Sequence, residues 1–128
     1  MSIAIVRLGS PRKVGEGLRI GTVRRPPRGV PKREFSSGNW YDVWFPNLAP
    51  SPDLLKFAHT TKSEADWERF KRRFRAEMKT PGAEHDIALL AALSKETNLS
   101  VGCYCDEERH CHRSVLRQLL KEAGAKLE

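Results

Sequence analysis

Leu99-Ser-Val-Gly-Cys103-Tyr-Cys105-Asp-Glu-Glu-Arg-His-Cys111-His112-Arg113 holds all three cysteines of the chain and two of its four histidines. Leu99, Val101 and Cys103 alternate with Ser100, Gly102 and Tyr104, which is the two-residue period of a strand. Beyond the stretch, Val115, Leu116, Leu119, Leu120 and Ala123 recur at helical spacing, and Gly124 stands where a helix end favours glycine. A strand handing over to a helix, with thiols and imidazoles at the junction, is therefore predicted. In α/β sheets such junctions lie where ligands bind.

The elements on the N-terminal side agree with that class. Glu84–Thr97 places Ile87, Leu90, Ala91 and Ser94 on one side, widened by Leu89 and Leu93, and predicts a buried helix. Ser63–Met78 predicts another, because Trp67, Phe70 and Phe74 form one stripe and Ser63 with Asp66 is a variant capping box. Thr80, Pro81 and Gly82 are expected to end it. Ser51 should cap a short helix with Pro52 at its first position, running to about Thr60. Ile3–Leu8 and Leu18–Val23 read as strands. The expectation is one domain over residues 1–128, a three-layer α/β unit. Its small, mostly parallel sheet would be flanked by helices on both faces.

Composition narrows the function classes. With 39% hydrophobic and 30% charged residues, a chain of 128 residues suits a globular fold, and no apolar run is long enough to cross a membrane. An odd cysteine number and no leader-like start point to a reducing cytoplasmic setting. The net charge of +7 resides entirely in residues 1–35, where nine Lys/Arg face only Glu16 and Glu34. Charge so polarised points to an anionic partner, either a phosphate-bearing small molecule or a nucleic acid. Within it, Arg24–Gly38 is Pro-rich, and prolines stiffen the backbone that presents Arg24, Arg28 and Lys32 to an anion. Trp40, Tyr41 and Trp44 follow, suited either to stacking a base in a non-enzymatic nucleic-acid module or to covering one end of the core.

Three chemistries compete for the cysteine stretch. Thiolates and imidazole from Cys103, Cys105, Cys111 and His112 are a zinc-type donor set, giving a zinc-stabilised scaffold. Against it, neighbours on a helix diverge by about 100°, which would separate Cys111 from His112, so no cofactor is expected. Cys103 to Arg109 matches a C-x5-R phosphate loop, but Asp106, Glu107 and Glu108 would repel the phosphate. The third reading places Cys111, His112 and Arg113 at a helix start. The dipole there favours thiolate at Cys111, His112 moves protons and Arg113 forks onto an anion. The expected site is thus an anion pocket built from Arg24, Arg28, Lys32 and Arg113, with Cys111 and His112 as the catalytic pair.

Three stretches also carry a family resemblance. These are Gly17-Leu-Arg-Ile with Arg24 and Pro27-Arg28-Gly29-Val30-Pro31-Lys32; Trp40, Ala49-Pro50-Ser51, Leu54 and Lys56 leading to Trp67-Glu68-Arg69-Phe70; and Cys103 with Cys111-His112-Arg113. Together they resemble the domain-of-unknown-function 488 family, including its YeaO-like branch and cysteine-bearing relatives. Val23, Pro26 and Leu55 depart from that pattern. The resemblance implies a compact α/β domain and brings no reaction, substrate or cofactor with it.

Overall fold

Parallel strands need long crossovers, and the chain builds the longest of its three from helices and the other two from loop segments. The computed structural model describes residues 1–128. Its sheet contains β1 (Ile3–Arg7), β2 (Leu18–Gly21), β3 (Val43–Trp44) and β4 (Leu99–Cys103), all parallel, in the order β1-β4-β2-β3. The cysteine-bearing strand is therefore central. Between β3 and β4 run α1 (Pro52–His59), α2 (Glu64–Glu77) and α3 (Pro81–Leu93), and α4 (His112–Glu122) follows β4.

Register decides which face meets the helices. Ile3 lies beside Leu99, and Ile20 beside Val101, so their side chains share one face. That face packs against Leu54 of α1, Trp67, Phe70 and Phe74 of α2, Ile87 and Leu90 of α3, and Leu116 and Leu120 of α4. The opposite face carries Ala4, Arg19 and Ser100. The loop after β1 and the segment before β3, with its short 3-10 turn at Lys32–Glu34, cover it. The second flanking layer is loop rather than α-helix. Prolines and glycines in those segments account for that.

A buried ion pair anchors the loop layer. The Arg19 side chain is fully buried and donates to both Glu16 carboxylate oxygens, at 2.8 and 3.0 Å. Its Nη1 reaches the carbonyls of Ser10 and Asn39, and the Ser100 hydroxyl donates to Glu16 at 2.7 Å.

Two elements differ from expectation. Thr80-Pro81-Gly82 does not merely stop α2, which ends at Glu77; it starts α3, with Thr80 at the N-cap and Pro81 at the first position. Proline lacks only an N–H that the first turn leaves unpaired anyway. The aromatic run yields β3, a two-residue strand too short to show a period.

Candidate functional site

β4 and β2 lie side by side, and both end at the same edge of the sheet. The Thr22 amide donates to the Gly102 carbonyl at 2.9 Å, carrying the pairing one residue past β2. The chain then leaves β4, makes a 3-10 turn at Glu108–His110 and enters α4. This excursion returns Cys111 beside Cys103, with their sulfurs 2.7 Å apart.

Cys111 is the N-cap of α4 and has extended backbone (φ −131°, ψ 153°), whereas His112 is the first helical residue. The helical divergence expected of neighbours therefore does not apply, and Cys111 Sγ lies 3.6 Å from His112 Nδ1. Cys103, Cys111 and His112 are all buried, and their ligand atoms lie within 4.8 Å of one another. Such a cluster has the donors and the convergence to hold a metal ion.

The imidazole is fixed from outside the cluster. His112 Nε2 lies 2.7 Å from the Thr22 carbonyl oxygen, which can only accept, so Nε2 carries the proton and Nδ1 keeps its lone pair toward the sulfurs. The Thr22 hydroxyl donates to the Gly102 carbonyl, and the Phe74 ring packs edge-on against the imidazole at 5.5 Å. Burial, aided by the Arg113 charge, holds the His112 pKa down at about 4, despite the opposing effect of the Thr22 bond. We expect one imidazole N–H signal from His112, at Nε2, throughout the neutral range in nitrogen–proton correlation spectra. A titration near 6.5 would contradict this environment.

The thiols share their protons. Hydrogen bonds from Cys103 and Cys111 lower the Cys105 pKa, and the Arg113 charge adds to this. Hydrogen bonding to Cys105 and Cys111, together with burial, raises Cys103. For Cys111, the bond with Cys103 is lowering, but the bond with Cys105 and burial outweigh it and leave its pKa at about 11. Thiolate character thus concentrates on Cys105, which is also the one exposed cysteine.

A cavity of about 590 Å³ opens onto this cluster. Cys105, Cys111 and His112 form part of its wall, opposite Trp67 and Phe70 of α2, while His59, Lys62 and Glu64 line the stretch between α1 and α2. His110 also lines it, packing edge-on against Trp67 and lying 3.5 Å from the Glu64 carboxylate.

The remaining predicted residues fall into two groups. Arg113 joins the cluster: it is buried, its Nη2 donates to the Cys105 carbonyl at 2.7 Å and its Nε has no partner. The Pro-rich loop is held near the cluster through backbone contacts: it follows Thr22, whose carbonyl reaches His112, and its Arg25 carbonyl accepts from the Tyr104 hydroxyl at 2.8 Å. Its side chains lie elsewhere. Arg24 donates to the carbonyls of Ala49 and Pro50, and Arg28 and Lys32 are exposed and absent from the cavity wall. Of the acids in the Cys103–Arg109 loop, Asp106 pairs with Arg7 and Glu108 with Arg117. Sequence reasoning missed Thr22, whose contribution is a backbone carbonyl common to every residue type. It also missed His59 and His110, because only the packing of α1 and α2 turns them toward the cavity.

A family model described as the active DUF488-N3 subclade matches residues 3–124. The chain is similar to uncharacterized proteins of Mycobacterium bovis (Mb3100c) and Mycobacterium tuberculosis (Rv3073c and MT3158). Each is 32% identical over 108 residues, covering 82% of this chain and 81% of the relative. No solved structure matches it.

Proposed function

The chain belongs to the DUF488 family, and we propose that it acts through the Cys105 thiolate on an anionic, phosphate-bearing ligand that enters the cavity beside α1 and α2. One observation carries this reading: Cys105 is the exposed cysteine and stands on the wall of the 590 Å³ cavity at the C-terminal end of the central strand. Cys111 and His112 lie behind it and position it. In the step we propose, the Cys105 sulfur pair forms a bond to the ligand's electrophilic centre. The bond to the leaving group breaks, and that group departs with its electron pair. The description of the matching subclade as active favours catalysis over a purely binding role.

Charge supports an anionic ligand. Arg25, Arg28, Lys32 and Arg33 have no carboxylate partner, and their loop is pinned beside the cluster by Tyr104. Lys62 and His59 add positive or polar character to the cavity itself. Unpaired cations on a neighbouring loop, though off the cavity wall, draw anions toward the site through their summed field, more weakly as salt rises.

The test compares alkylation of Cys105 by iodoacetate, an anion, with alkylation by neutral iodoacetamide. In the Arg25→Ala, Arg28→Ala, Lys32→Ala triple variant, the iodoacetate rate should fall by about threefold or more relative to iodoacetamide. A ratio indifferent to both the variant and added salt would overturn the anionic ligand. A Cys105 no more reactive than a free thiol would overturn the nucleophile.

A further inference from the structure

We infer that Cys103, Cys111 and His112 hold a divalent ion of the zinc type, with the Cys105 sulfur as its fourth ligand at the cavity wall. This deepens the reading above, and depends on it only for what Cys105 does next.

The donors converge. Three soft or borderline donors lie within 4.8 Å of one another, all buried, at a strand end and a helix start that fix their backbones. Thiolate with imidazole suits zinc and disfavours calcium or magnesium, which take oxygen ligands. The Cys111 Sγ to His112 Nδ1 distance of 3.6 Å already fits two ligands of one tetrahedral ion. The Cys103 and Cys111 sulfurs, at 2.7 Å, would separate by about 1 Å to bind it, since bonds of about 2.3 Å set tetrahedral sulfurs roughly 3.7 Å apart.

The histidine is held as a ligand would be. Its outer nitrogen donates to a backbone carbonyl at 2.7 Å, leaving the inner lone pair toward the sulfurs. Metal-bound histidines are held in this way, because the outer bond fixes the ring and its tautomer. A catalytic proton carrier would instead need access to solvent or ligand, which the outer nitrogen of His112 lacks.

Charge balance sets the ligand count. Arg113 is 3% exposed, has no carboxylate partner, donates through Nη2 to the Cys105 carbonyl and leaves its Nε without a hydrogen-bond partner. A guanidinium so buried calls for one net negative charge beside it. Two thiolates and a neutral imidazole on a divalent cation form a neutral centre, which does nothing for Arg113. A third thiolate gives the centre one negative charge, which Arg113 balances. Cys105 is the available third: its amide donates to Cys103 Sγ at 3.4 Å, its carbonyl accepts from Arg113 and it shares the cavity wall with Cys111 and His112. Coordination keeps the Cys105 thiol deprotonated outright while it remains on the cavity wall.

The full chain, purified without added metal or a metal-affinity step, should contain about one zinc per molecule by elemental analysis. Cobalt(II) replacing zinc should give visible bands and a thiolate-to-cobalt charge-transfer band. Cys105→Ser, at an exposed position, should still bind cobalt but with a clearly weaker charge-transfer band. His112→Gln should lose at least tenfold in cobalt affinity, with folding followed separately by far-ultraviolet circular dichroism. A folded wild-type chain without zinc and without cobalt bands, or one whose mass shows a Cys103–Cys111 disulfide instead, would overturn the metal site. A Cys105→Ser spectrum identical to wild type would overturn the fourth ligand. A metal-free chain with a fast-reacting Cys105 would remove this inference and leave the proposed function standing. A loaded chain with an inert Cys105 would do the reverse.

Discussion

Replacing Glu16 by leucine is expected to cost about 3–5 kcal/mol of folding stability, read as a lower denaturant midpoint at unchanged slope. The Arg19 side chain is fully buried, and its donors go to Glu16 and to the carbonyls of Ser10 and Asn39. Without the carboxylate the guanidinium remains in the interior with its charge unmatched. Replacing both residues, Glu16→Leu with Arg19→Met, should recover a substantial part of the loss, because the desolvated charge goes with its partner.

The same pair gives a pH dependence with a definite sign. Burial would raise the Glu16 carboxyl, but hydrogen bonds from Arg19, Ser100 and the Lys13 amide, with the Arg19 charge, hold it down at about 2. Its contribution is therefore complete above its ordinary value of 4.5 and is lost as pH falls from there toward 2. A Glu16→Gln chain should lack this acid-side slope. If Glu16→Leu costs less than about 1 kcal/mol, the buried pair is not the anchor of the loop layer.

The second large effect belongs to Phe74. Its side chain is fully buried, in a row where Trp67 stacks on Phe70 at 5.1 Å and Phe70 on Phe74 at 6.1 Å. The row ends edge-on against His112. Phe74→Ala should cost about 3–5 kcal/mol through lost burial and the cavity left behind, with Phe74→Leu costing less. Because Phe74 supports the imidazole, the His112 ring signals should shift as well. A destabilised chain with unmoved His112 signals would separate the core role of Phe74 from any role in positioning the site.

How far the sequence reveals this molecule depends on how local each cause is. The strand and helix on either side of the cysteines follow from periods of two and 3.6, and both are where alternation and spacing put them. Ser51 and Ser63 cap their helices because a hydroxyl two or three residues before free amides acts locally. The order β1-β4-β2-β3 is not local, and neither is the loop layer, which depends on a buried Glu16–Arg19 pair that resembles two ordinary surface charges in sequence. At the site, the grouping of Cys103, Cys111 and His112 was legible only as a density of donors. Reading Cys111 and His112 as helical neighbours separated them, whereas an extended N-cap at Cys111 brings them together. That cap conformation comes from the 3-10 turn before α4, which no period in the sequence announces.

Mass-mapped alkylation of the native chain with limiting iodoacetamide tests the central claim most directly. The account predicts that Cys105 is modified at least about tenfold faster than Cys103 or Cys111, which are buried, and that a ligand filling the cavity slows it. Equal modification of all three cysteines, or modification of Cys111 before Cys105, would contradict it.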